Sequence, residues 1–168
     1  MFKSDNYLMA FREAECFLNI AKTIKEKSHL KSFDRREIAR TVNYRYGSHV
    51  NHAYAFELYL KCLMIIEKGE YAEGHGLSDL FNLLSGTAKA NIERTFELEH
   101  AFIRRNSKYF SLFEKPSLGD LLDEANKAFI NFRYLFSLHK TPAYELDGVI
   151  ECLREEIFRV KPELREAW

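Results

Sequence analysis

The sequence predicts an all-α fold: a single-domain multi-helix bundle with one or two long central helices. Three observations lead there. Apolar residues recur at the spacing of one helix face through almost the whole chain. The β-branched runs and strict alternation that mark strands are missing. The three prolines, Pro116, Pro142 and Pro162, all fall where the helical pattern pauses, as suits a residue that cannot continue a helix interior.

The first helix is expected from about Ser4 to Lys27, with Tyr7, Leu8, Phe11, Ala14, Leu18, Ala21 and Ile24 as its stripe. The polar stretch Lys25–Ser32 reads as a connection. Asp34 with Glu37 forms a capping-box variant that starts a helix through Val42, because such a pair satisfies the free N–H groups of a first turn. Tyr44–Arg45–Tyr46–Gly47–Ser48 is expected to break or kink it. A strongly apolar helix then runs from about Val50 to Glu67, and Gly69 ends it.

Leu77, Leu80, Phe81 and Leu84 define a short helix, and Ala88, Ile92, Phe96, Glu99, Phe102 and Ile103 another that ends near Asn106. Ser117 with Asp120 caps the next, whose stripe is Leu118, Leu121, Leu122, Ala125, Phe129, Phe132 and Phe136. After Pro142, the residues Leu146, Val149, Ile150, Leu153 and Ile157 form the last. Neither an internal repeat nor a low-complexity segment interrupts the series.

Bulk composition narrows the functional classes. The 168 residues are 46% apolar and 30% charged, which is globular rather than disordered composition, and predict one domain over 1–168. The formal net charge is zero, so no global field draws nucleic acid or an anionic membrane, and any such role rests on a local patch. Cys16, Cys62 and Cys152 are scattered through helical patterns, which predicts reduced, buried thiols. No apolar run approaches the roughly 20 residues that span a bilayer, and Met1 to Asp5 has no signal-peptide architecture. The expectation is a cytoplasmic protein without a membrane partner.

The most informative stretch is Ala55–Phe56–Glu57–Leu58–Tyr59–Leu60–Lys61, followed by Gly74–His75–Gly76–Leu77. It carries a glutamate and a lysine into the most apolar helix, where an unpaired charge is costly. With the acid first at i, i+4, the two are oriented for a helical ion pair. Glu57, Lys61, His75 and Asn126 are therefore read as a structural polar network beneath the bundle. The alternative for Glu57 and Lys61 is a specificity device at a subunit seam. For His75 the choice lies between packing or hydrogen bonding at the start of the Leu77 helix and anion binding there.

This order of features resembles the HEPN domain family (higher eukaryote and prokaryote nucleotide-binding helical domain). The resemblance is carried by Ala55–Lys61, by Gly74–Phe81 with His75, and by Ala125–Tyr134 with Arg133, and covers about Val50 to Ile157. It implies a compact, usually dimeric helical bundle. It also implies either a metal-independent endoribonuclease of a toxin–antitoxin or defence system, or a non-catalytic dimerisation, adaptor or RNA-binding module. The partners it implies are a second copy, RNA, and a cognate antitoxin or nucleotidyltransferase-type protein; no cofactor or metal is expected.

The family's nuclease motif is an arginine followed, after four to six residues, by a histidine. Arg133 and His139 meet that spacing, although Tyr134 stands where a small polar residue is usual. Arg45 and His52 also meet it, in the wrong helix for the family. The chemistry suits the residue types. A histidine moves protons near neutral pH, and an arginine grips phosphate oxygens at two points. At about 100° per residue, Arg133 and His139 stand roughly 120° apart around one helix, so a compact site would need two copies of the chain. The plainer alternative pairs Arg133 with Glu57 and sets His139 against a helix C-terminus.

Arg104, Arg105, Lys108 and Tyr109 form the best local basic patch, with an aromatic ring for stacking on bases, and are the candidate RNA contacts; a solvated helix end is the alternative. His49 and His52 have the i, i+3 spacing of a metal pair, but no further ligand follows at a useful distance. Neither a Gly-rich phosphate loop nor a Ser/His/Asp order is recognisable.

Overall fold

A computed structural model of the chain describes residues 6–27, 35–106, 117–126 and 146–166. Every regular element among them is a helix: α1 (Asn6–Lys27), α2 (Arg35–Lys68), α3 (Leu77–Asn82), α4 (Gly86–Asn106), α5 (Leu118–Ala125), α6 (Asp147–Val160) and α7 (Glu163–Glu166). None of the described helices is long and apolar enough to cross a membrane.

Helices α1 and α2 form an antiparallel hairpin, the most extensive packing in the fold. Its register is read from contacts along its length. The Phe11 ring meets Tyr59 edge-on, Phe17 stacks on Tyr54, and Ser48 donates to the Ala21 carbonyl. On α1 the fully buried stripe is Phe11, Ala14, Leu18 and Ala21, the period of a helix with one face inward. Cys16 lies off that stripe, about 200° around the axis from Ala14, and is exposed; only Cys62 and Cys152 have the expected burial.

The expected break at Tyr44–Ser48 is not found. Helix α2 runs unbroken through Gly47 for 34 residues, about 51 Å at the usual rise. A mid-helix glycine costs on the order of 1 kcal/mol against alanine, and tertiary contacts offset it here. Gly47 packs beside Ile24 of α1, and Ser48 ties the same turn to Ala21. Farther along, Ala53, Ala55, Phe56, Tyr59, Leu60, Cys62 and Leu63 are all fully buried. A helix buried on nearly every side is the centre of a bundle, and α2 packs on α1, α3 and α6.

Gly69 ends α2 at φ +76° with its N–H on the Ile65 carbonyl, a left-handed closure that glycine adopts without strain. Helix α3 buries Leu77, Leu80 and Phe81 against α2 and α5. Ser85 caps α4, its Oγ accepting from Ala88 N, while Glu67 of α2 receives the Ser85 N–H. The Ser117–Asp120 capping box starts α5, each side chain accepting from the other's backbone N–H. Phe129, Phe132 and Phe136, expected to continue that helix, lie outside the described residues. Helix α6 closes the core with Val149, Ile150, Leu153 and Ile157, and α7, which the sequence did not announce, adds Leu164.

Candidate functional site

Glu57 is the centre of the first polar cluster. It occupies the helix turn between Phe56 and Leu60 and is 5% exposed. Its Oε1 accepts from Lys61 Nζ at 2.8 Å, one turn on, and stands 3.0 Å from His75 Nδ1 in the loop before α3. Lys61 is itself largely covered, and its ammonium lies 5.5 Å from the centre of the Tyr71 ring. Glu57 Oε2 is buried without a hydrogen-bond partner, so one carboxylate oxygen carries both contacts.

The N-cap position of α3 is Gly76, which has no side chain to cap with. Asn126 does that work from across the bundle, its Oδ1 accepting from Ser78 N at 3.1 Å. A Cβ on Gly76 would overlap Asp79 Oδ2 and come within 3.0 Å of Asn126 Oδ1. The Gly-His-Gly-Leu turn thus admits the Asn126 side chain because Gly76 has none. Glu57, Lys61 and His75 share one carboxylate oxygen; Asn126 joins α5 to the next turn of the same segment.

A second cluster was not legible beforehand. Ser48, His52 and Asp147 lie in a row, joining α2 to the first turn of α6. His52 Nε2 is 2.7 Å from Asp147 Oδ1, close enough for an ion pair but without the alignment of a hydrogen bond. Its Nδ1 is 3.4 Å from Ser48 Oγ, and Lys25 of α1 bonds the other Asp147 oxygen. Contact with His52, and then Lys25, holds the Asp147 carboxyl well below its ordinary range. The row has the residue types of a nucleophilic triad but not its chemistry. A triad base removes the serine proton, whereas the Ser48 hydroxyl donates to the Ala21 carbonyl at 2.9 Å. Ser48 and His52 are each 3% exposed, which closes the row to a substrate.

The remaining buried acids are paired. Glu15 accepts from Tyr59 Oη and from Arg154 Nε, both at 2.7 Å. Burial and the Glu15 carboxylate raise the Tyr59 hydroxyl far above its ordinary pKa. Glu15 stands at i+4 from Phe11 and i−3 from Leu18, squarely on the apolar stripe, and that position was the available signal for it. Glu156 is held in two-point fashion by Arg159. Among the described residues, no three His, Cys, Asp or Glu side chains gather as a metal site; His52 turns to Ser48 and Asp147.

Arg104 and Arg105 belong to the last turns of α4. Lys108, Tyr109, Arg133 and His139 lie outside the described residues. No family model, curated protein or solved structure matches the chain.

Proposed function

We propose that this chain is a HEPN-like, RNA-associated protein, a metal-independent endoribonuclease of a toxin–antitoxin or defence system. The observation that carries the reading is the meeting of Glu57, Lys61 and His75 on one carboxylate oxygen. Those residues come from the two segments on which the resemblance begins, separated in sequence by a loop and joined in space by Glu57. In this reading Arg133 binds the scissile phosphate and His139 moves the proton. Two copies complete the site in the cytoplasm, and Arg104, Arg105, Lys108 and Tyr109 guide the RNA to it. A cognate antitoxin or nucleotidyltransferase-type partner restrains the activity.

The test is cleavage of single-stranded RNA by the purified chain with a chelator present. Arg133→Ala and His139→Ala should each lower the rate by roughly 100-fold or more, the usual scale for losing a proton-transfer group or a phosphate clamp. Cleavage unchanged in both variants removes the proposed site.

A second reading, a non-catalytic dimerisation, adaptor or RNA-binding module on the same bundle, is favoured by the way the described buried polar side chains are used. Glu15, Ser48, His52, Glu57 and Glu156 all face partners within the chain, as in a scaffold. It predicts a stable dimer by light scattering and no RNA turnover.

A further inference from the structure

A groove of about 360 Å³ lies between α1, α2 and the loop after α2. Met9, Ala10 and Glu13 line it from one stripe of α1, at i, i+1 and i+4, and Leu58, Lys61 and Ile65 line it from one stripe of α2. Tyr71 closes the end. Ile65 is buried, and Ala10 and Leu58 pack against the core, but the groove's edges are not spent on it: Met9 is 60% and Tyr71 54% exposed. Methionine and tyrosine left in water beside a groove are the residue types that recognition surfaces favour.

Charge decides what the groove would accept. Its one cation among the described lining residues, Lys61, is neutralised by Glu57 at 2.8 Å. Its acid, Glu13, is exposed, and the positions one turn away on α1, Met9, Ala10, Cys16 and Phe17, offer no positive charge to pair with it. Tyr71 is flanked by Glu70 and Glu73, both exposed. The groove is therefore apolar along its floor, and among its described lining residues Glu13 is the charge left unneutralised, which disfavours a phosphate backbone and suits a cation.

We infer that this groove docks a basic, apolar-anchored segment of a protein partner. One aliphatic side chain of the segment lies between Met9, Leu58 and Tyr71, and an arginine or lysine one turn away meets Glu13. The inference is independent of the RNA reading, since it uses neither Arg133 nor His139.

The experiment is an amide-resolved NMR titration of the full chain with a synthetic amphipathic peptide carrying leucine on one stripe and arginine beside it. The same peptide with glutamate for arginine and a single-stranded RNA oligonucleotide serve as comparisons. The arginine peptide should shift the amides of Met9, Glu13 and Tyr71 saturably. Glu13→Lys should weaken it at least about tenfold and make the glutamate peptide the better ligand; Tyr71→Ala should weaken both. Both positions are exposed, so the variants keep the fold, which amide dispersion checks. The inference is overturned if the arginine peptide binds Glu13→Lys as tightly as the natural chain or shifts amides elsewhere. It is equally overturned if RNA shifts the groove amides, or if dilution alone does so, which would make a second copy the occupant.

Discussion

His52 Nε2 lies 2.7 Å from Asp147 Oδ1, and this contact joins the middle of the central helix to the first turn of α6. The carboxylate is well placed twice over: it faces a buried ring, and it sits at a helix N-terminus, where the backbone dipoles favour negative charge. Lys25 of α1 completes a bond between three helices.

The pH dependence follows from the sign of the Asp147 shift. Its folded carboxyl titrates below its ordinary value of 3.8, so the unfolded chain takes up the proton first. The stabilisation is therefore fully present above that value and is lost as the pH falls below it. Asp147 is about one-third exposed, and solvent screening limits the effect to about 1 kcal/mol. Asp147→Asn should lower stability by that amount near neutral pH and by clearly less at about pH 2, below the ordinary carboxyl value, measured by urea unfolding at both.

Glu57 and Lys61 should behave as a coupled pair. Lys61→Met alone leaves a buried carboxylate with only the exposed His75 beside it and should cost about 3 kcal/mol. Adding Glu57→Gln removes the stranded charge and should recover on the order of 1–3 kcal/mol. His75→Ala, at a largely exposed ring, should cost less than about 1 kcal/mol. Denaturant curves of Lys61→Met, Glu57→Gln, their double variant and the natural chain close the cycle; strictly additive losses would contradict the pairing.

Tyr59→Phe removes one of the two donors to Glu15 while Arg154 keeps the other. The loss should be about 1–2 kcal/mol, the cost of a buried hydrogen bond to a charged acceptor. Glu15→Ala should cost more, because it orphans the fully buried Tyr59 hydroxyl and half of the Arg154 guanidinium together. Thermal unfolding of both variants orders the two effects.

Thiol labelling separates the three cysteines. Cys16 is exposed on α1 and should react with a maleimide in the folded protein. Burial pushes the Cys62 thiol up to about 12, and burial together with Glu99 does the same to Cys152; neither should react until denaturant is added. Mass spectrometry should find one adduct before unfolding and three after it.

The fold was largely legible because helices announce themselves within a few residues. The stripes of α1, α4 and α6, the Ser117–Asp120 capping box and the stop at Gly69 are all local patterns. The failures share a cause as well. A break was expected at Gly47 from propensity alone, and α2 continues there because Ile24 and Ala21 of α1 hold that turn. Cys16 was expected inside because it lies in an apolar helix, yet it falls off the inward stripe.

By itself, the sequence determined the all-helical class, the buried faces and the Glu57–Lys61 pair, whose members sit one turn apart on the same helix. The sequence grouped His75 and Asn126 with them, but only the tertiary structure decided that His75 meets Glu57 directly, that Asn126 caps α3, and that Glu15 serves Tyr59 and Arg154. It also decided that Ser48, His52 and Asp147 form a row whose hydroxyl is already committed. The physical reason is range. A helix sets its own near neighbours through its fixed pitch, whereas the partner of a side chain on another helix depends on packing register, which no local spacing specifies.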